Sequence, residues 1–251
     1  MLTRWTGGPA EIVLVRHGHS LGNLADAEAR EQKAERLDLS DRDADVKLSD
    51  VGREQADGVG RWLAAAEKSG LPTLVVSSPY RRAAETARRA VADLDIETVL
   101  DERLRERDLG AFDGLTGLGI RARYPDEAER RKKLGKFYYQ PPSGESWCDV
   151  ALRVRSLLAD LRHGYDDARI WMFTHQAVIM SFRYVLEGLS EEELLEIDHS
   201  KPLPNASMTV YRGGDGDLKL DRFADTAAVD DIDAEVTREA PQGGRGDDAR
   251  Q

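Results

Sequence analysis

Residues 12–19 read IVLVRHGH, so four apolar residues run straight into Arg16, His17, Gly18 and His19. Two later stretches have the same shape. LVVSS at 74–78 leads through Pro79 to the pair Arg81 and Arg82, and RIWMFT at 169–174 leads to His175 and Gln176. Histidine and arginine at the ends of oily segments suit phosphoryl chemistry. The planar guanidinium fork matches two phosphate oxygens at once, and a neutral imidazole is a competent nucleophile near pH 7. Such a nucleophile keeps one ring nitrogen bare while the other donates to a fixed acceptor, a task that a nearby backbone carbonyl can perform. Gly18, directly after His17, lets the backbone turn tightly and come close to an anion. A leaving alkoxide also needs a proton. LRERDLGAFDG at 104–114 offers Glu106 and Asp108, and composition alone does not choose between them. The spacing of His17 and His19 also fits a metal-dependent hydrolase, but only His163, His175 and His199 remain to complete a ligand set, and none is evident.

The elements that must position these residues can be read from periodicity. EIVLV (11–15), LVVSS and RIWMFT are short, apolar and rich in β-branched or aromatic residues, as buried strands are. Between them lie helical stretches at 50–70, 81–94, 146–165 and 190–197; Ser146 with Asp149 and Ser190 with Glu193 mark two capped starts. Strands alternating with helices predict a three-layer α/β/α sandwich around a mostly parallel sheet. Ligands bind such a sheet beyond the carboxyl ends of its strands, so the three charged strand ends should meet at one edge. ASMTVYR and LKLDRFA, flanking GGDGD, predict a C-terminal hairpin. Residues 24–47 are charge-rich and read as an insertion or mobile lid. Residues about 111–145, with their glycines, prolines and the basic run ERRKKLGK followed by FYY, read as an inserted cap. Within it, the stretch Arg130, Arg131, Lys132 and Lys133 is either a solvated helix face or a cap that grips a second anionic group, with Tyr138 and Tyr139 beside it. One domain over 1–224 and an acidic, disordered tail over 225–251 complete the expected organisation.

Bulk composition narrows the function classes. The 251 residues carry 36 Lys plus Arg against 47 Asp plus Glu, a net charge of −11. That excess of acid argues against broad nucleic-acid or anionic-membrane binding. The single Cys148 has no partner in the chain, which fits a reducing, cytoplasmic setting. No apolar run reaches the roughly 20 residues of a membrane helix or the pattern of a signal peptide.

Several blocks together resemble the histidine phosphatase superfamily, the phosphoglycerate-mutase-like proteins. VRHGHSLGN at 15–23 looks like its signature, and LSDVGREQA, SSPYRRAAETA, LRERDLGAFDG, GESW, THQAVI and PNASMTVY follow in the family's order, covering roughly residues 11–212. The resemblance implies metal-free, cofactor-free, two-step phosphoryl transfer. His17 is then the nucleophile, and Arg16, Arg82 and His175 hold the phosphate oxygens, with His175 also counted as catalytic. Arg82 rather than Arg81 matches the family arginine, because it stands directly before Ala83 and four residues before Thr86. Glu106 rather than Asp108 matches the family's proton donor. Asn23 and Gln176 join the phosphate-binding set, and Asn205 braces the pocket. Gln176 replaces a usual glycine, and His19 stands where the family often has Glu or Gln, with no role assigned to it. The run His-Gln-Ala-Val is similar to that of fructose-2,6-bisphosphatase domains and favours hydrolysis. The expected function is a phosphohydrolase acting on a small phosphorylated metabolite through a phosphohistidine. The alternatives are a cofactor-dependent phosphoglycerate-mutase-type phosphomutase and, more distantly, a metal-dependent hydrolase or a non-catalytic phosphate-binding protein.

Overall fold

In β1 (Glu11–Arg16), Ile12 and Leu14 enter one apolar core while Val13 and Val15 enter another. Successive side chains of a strand point to opposite faces, so a run that is apolar on both faces belongs to a sheet covered on both sides. The computed structural model describes residues 8–214, 217–230 and 235–238. After β1 the chain forms α1 (Leu21–Glu31), α2 (Asp50–Ala64), β2 (Leu74–Ser77), α3 (Arg81–Ala90), β3 (Thr98–Leu100), α4 (Gly117–Arg123) and α5 (Pro125–Leu134). It continues through α6 (Trp147–Leu161), β4 (Arg169–Thr174), α7 (Gln176–Glu187), α8 (Glu191–Ser200), β5 (Met208–Gly214), β6 (Asp217–Asp225) and α9 (Ala227–Asp230).

The six strands are ordered β3-β2-β4-β1-β5-β6. The first four are mutually parallel, and β5 and β6 are antiparallel additions at one side. Ile170 and Met172 of β4 join Val150, Val154, Leu158 and Phe182 from α6 and α7 in one layer, whereas Trp171 and Phe173 join Val59, Leu63 and Ala87 from α2 and α3 in the other. This is the expected three-layer sandwich with a mostly parallel sheet. Both capping boxes form, on Ser146 with Asp149 and on Ser190 with Glu193.

Some expectations change. The first third of the expected insertion or lid at 24–47 belongs to α1, whose N-cap Ser20 pairs with Asn23 in a third capping box. Its buried face consists of polar Asn23 and two small residues, Ala25 and Ala29, too weak an apolar stripe to announce a helix. Residues 32–45 are exposed or partly buried, and the segment ends at buried Val46, followed by buried Leu48. The basic run lies on α5, where Arg130, Lys132 and Lys133 are exposed while Lys136 beyond the helix is half-buried, and Tyr139 is buried but Tyr138 is not. The expected tail begins too early: Asp225 closes β6, and Ala228 and Val229 of α9 pack into the core, because apolar side chains sit among the acidic ones. Residues 231–234 and 239–251 of that tail lie outside the described residues.

Candidate active site

The parallel ladder sets three strand ends level. Arg16 stands opposite Thr174 in register, the His17 N–H donates to the Thr174 carbonyl at 2.9 Å, and the Ser78 N–H donates to the Phe173 carbonyl at 2.9 Å. His17, Ser78 and His175 are therefore held by backbone hydrogen bonds before any side chain acts. The His17 and His175 rings lie 5.1 Å apart between centroids. Nδ1 of His17 is 2.8 Å from the Gly18 carbonyl oxygen. A carbonyl can only accept, so Nδ1 carries the hydrogen and Nε2 keeps its lone pair. Burial, reinforced by the Arg82 and Arg16 cations, holds the His17 pKa well below its usual value. Burial and then Arg82 do the same for His175. Both imidazoles are neutral at pH 7.

His175 Nε2 meets the Ser78 hydroxyl at 2.9 Å, Tyr80 packs edge-on against the ring at 5.4 Å, and Nδ1 is buried with no hydrogen-bond partner among the described residues. Arg16 is buried and donates through Nη1 to the Leu203 carbonyl. Arg82, also buried, enters from the first turn of α3. Asn205 Nδ2 donates to the His17 carbonyl at 3.2 Å, which supports its expected bracing role. Asn23 is buried beside it, with Oδ1 committed to the Ser20 capping box.

The loop that carries His17 is packed by glycines. A Cβ on Gly18 would come within 2.4 Å of the Gly52 carbonyl oxygen, and one on Gly52 within 1.9 Å of the His19 carbonyl oxygen. No side chain fits at either place, so VRHGH and SDVGREQ touch backbone to backbone. His19 turns to this contact. Its N–H donates to Gln55 Oε1 at 2.8 Å and its Nδ1 faces the Ser49 hydroxyl at 2.9 Å. Among the described residues, no three or more His, Cys, Asp or Glu side chains cluster in a way that could hold a metal ion.

Glu106 follows the short turn Glu102–Leu104, whose Leu104 carbonyl accepts the Thr174 hydroxyl at 2.7 Å. This hydrogen bond fastens the loop to the end of β4. Glu145 of the GESW block braces it further, accepting from Arg105, from the Asp108 N–H and from Arg153, while Arg153 also donates to the Glu106 carbonyl at 3.3 Å. Glu106 lines a cleft with Arg107, Leu109, Lys136, Trp147, Gln176, Ala177 and Asp198. Asp108 is exposed and closes a turn onto the Gly110 N–H. Glu106 thus lines the cleft, whereas Asp108 stays at the surface.

Residues 12–226 match the histidine phosphatase superfamily (branch 1). The chain belongs to this family. Among its relatives, the "Bifunctional protein Rv2228c" of Mycobacterium tuberculosis is 33% identical over 193 residues, 73% of this chain and 47% of that protein. The chain therefore spans about half the length of the first curated relatives it matches. A 2,3-bisphosphoglycerate-dependent phosphoglycerate mutase of Methylobacterium sp. (strain 4-46) is 32% identical over 234 residues, 89% of this chain and 98% of that protein. Among solved structures, a mycobacterial glucosyl-3-phosphoglycerate phosphatase complexed with VO3 superposes with a TM-score of 0.68 at 28% identity, over 86% of this chain and 99% of that one.

In this member of the histidine phosphatase superfamily, the sequence-derived residues divide between two neighbouring places. Arg16 and Arg82 lie close enough to the His17–His175 pair to act on both rings, and Asn23 is linked to the His17 carbonyl through Asn205. Gln176 departs from that set, because its Nε2 donates to Asp198 at 3.0 Å and its side chain lines the Glu106 cleft. Lys136 reaches the same Asp198 at 3.0 Å, and both Arg107 and Lys136 lie 5.5 Å from the Trp147 ring. Burial lowers the Arg107 pKa to about 10 and depresses that of Lys136. Arg107, Lys136, Asp198, Arg153 and Tyr80 were not found from sequence. They lie in ordinary charged or mixed stretches, and only the fold shows that they face inward.

Proposed function

We propose that the protein is a phosphohydrolase that removes a phosphoryl group from a small phosphorylated metabolite through a phosphohistidine intermediate. The observation that carries this reading is His17: buried, neutral, with Nδ1 tied to the Gly18 carbonyl and His175 5.1 Å away. The lone pair of Nε2 attacks phosphorus in line as the bond to the leaving oxygen breaks, and Glu106 gives that oxygen its proton. Water then attacks the phosphohistidine, Glu106 takes its proton, the N–P bond breaks and inorganic phosphate departs. Arg16, Arg82 and His175 stabilise the charge on the transferring oxygens, and Asn23 assists. The leaving group occupies the Glu106 cleft, where Arg107 and Lys136 suit a second anionic group. The segment about 111–145 acts as the cap over that cleft. The mycobacterial phosphatase neighbour supports hydrolysis of a phosphorylated small molecule.

The reaction needs no metal or cofactor, and the lone Cys148 supports a cytoplasmic setting. No helix among the described residues is long and apolar enough to cross a membrane.

The Methylobacterium relative favours a second reading, phosphoglycerate-mutase-type phosphomutation. A mutase must keep water from its phospho-enzyme and return the group to a second hydroxyl. Incubation with 3-phosphoglycerate and a trace of bisphosphoglycerate separates the two. Free phosphate is the expected product, and rapid 2-phosphoglycerate formation without it would overturn hydrolysis. Acid-labile labelling of the wild type by a phosphorylated substrate, absent in His17→Ala, tests the intermediate itself.

A further inference from the structure

We infer that Asp43 is a positioning residue for phosphoryl transfer, gripping the outer edge of the Arg82 guanidinium and so aiming its inner edge at the phosphoryl group. The inference rests on the phosphohydrolase reading above.

Asp43 opens a single 3-10 turn (Asp43–Asp45) on the segment between α1 and α2. The turn is closed by the Asp45 N–H on the Arg42 carbonyl at 2.8 Å and by an Arg42–Asp45 ion pair at 2.6 Å. Behind it the chain is anchored. Val46 and Leu48 are buried, Leu48 bridges to Ser20, and the Leu21 N–H donates to the Lys47 carbonyl at 2.9 Å. Asp43 therefore stands on a scaffold tied directly to the loop that carries His17.

Arg82 meets it with one side of its fork. Nη1 donates to the Asp43 carbonyl at 2.6 Å and to Oδ1 at 2.9 Å, and Nη2 donates to Oδ2 at 3.3 Å. A guanidinium has five N–H donors. Both hydrogens of Nη1 and one of Nη2 are directed at Asp43, which leaves Nε and the second hydrogen of Nη2. These two form a parallel pair along the opposite edge, the arrangement that matches two phosphate oxygens. The other end of the side chain is fixed as well. Thr86 donates its hydroxyl to the Arg82 carbonyl at 2.7 Å and accepts the Gly18 N–H at 3.1 Å.

The arginine is thus clamped at backbone and tip before substrate arrives. A long side chain ordered in advance loses little freedom on binding, and donors that need not reorganise stabilise developing charge most effectively. A different role, with Asp43 blocking the place of the phosphate, makes the opposite prediction, since its removal would then raise activity.

The test compares Asp43→Ala, Asp43→Asn, Arg82→Lys and the Asp43→Ala/Arg82→Lys double variant for kcat and KM on p-nitrophenyl phosphate, for orthovanadate affinity, and for thermal midpoint. Asp43→Ala is expected to lower kcat/KM about 10- to 100-fold and orthovanadate affinity by a similar factor, with the thermal midpoint nearly unchanged. Asp43→Asn, which retains one side-chain acceptor oxygen, loses less, and it carries the comparison if Asp43→Ala does not fold. In the Arg82→Lys background, where the fork is gone, adding Asp43→Ala changes kcat/KM by less than about twofold. The inference is overturned if Asp43→Ala holds kcat/KM within about twofold, raises it, or adds its full loss on top of Arg82→Lys. Orthovanadate binding is read without turnover. Activity in His17→Ala would defeat the phosphohistidine reading separately.

Discussion

The imidazoles of His17 and His175 face each other at 5.1 Å with their planes tilted by 56°, one from the end of β1 and one from the end of β4. The adjacent strands set this spacing, since the His17 N–H is bonded to the carbonyl of the residue before His175. With both rings neutral, one can attack phosphorus while the other meets its oxygens.

Replacing His17 by Ala removes the attacking nitrogen. Turnover of a good phosphomonoester is expected to fall by at least about a thousandfold, leaving only what the phosphate-binding groups achieve alone. Steady-state phosphate release checks this, and substantial residual activity would sink the nucleophile assignment.

Glu106→Gln should discriminate between substrates. An alkyl phosphate, whose alkoxide must be protonated, loses far more rate than p-nitrophenyl phosphate, whose leaving group departs unaided. The aryl substrate then leaves the phosphohistidine standing, because the base for its hydrolysis is missing. Equal losses on both substrates, measured as kcat/KM, would count against Glu106 as the proton donor.

Acid should destabilise the fold through the two buried histidines. Their folded pKa values lie well below the ordinary histidine value of about 6.5, so under that pH the unfolded chain binds protons that the native one refuses. Stability from this source is complete above pH 6.5 and declines as pH falls toward the folded values. The slope is up to about 1.4 kcal/mol per pH unit for each histidine. Denaturant unfolding of His175→Ala between pH 7 and pH 5 should show a shallower decline than wild type, and parallel curves would contradict the linkage.

Gly52→Ala should harm both stability and activity. Its methyl group would lie 1.9 Å from the His19 carbonyl oxygen, forcing α2 away from the loop that carries His17. A loss of about 1–3 kcal/mol is expected from such overpacking, accompanied by a fall in kcat. A fully active variant with an unchanged melting temperature would show that the contact yields freely.

Much of this architecture was legible because strong apolar runs end in charge. β1, β2 and β4 announce themselves by β-branched and aromatic residues, and α6 and α8 by Ser–Asp and Ser–Glu caps. β3 was missed because it has only three residues and leaves Val99 and Leu100 largely exposed at the sheet edge. Within the site, motif residues at strand ends were found. Asp43, Lys136 and Asp198 were not, since a charge on a loop or helix looks the same in sequence whether it faces water or a buried arginine. Gln176 shows a subtler limit: its place directly after His175 suggests phosphate contact, but its amide nitrogen turns to Asp198.

The strand order also governs when such a site can come into being. β1 pairs only with β4 and β5, both drawn from the last third of the chain. During synthesis from the N-terminus, the oily strand bearing the nucleophile must wait without a partner until Thr174 has emerged. The site therefore forms late, and a product truncated before β4 leaves β1 without a partner, an aggregation hazard rather than a weak enzyme.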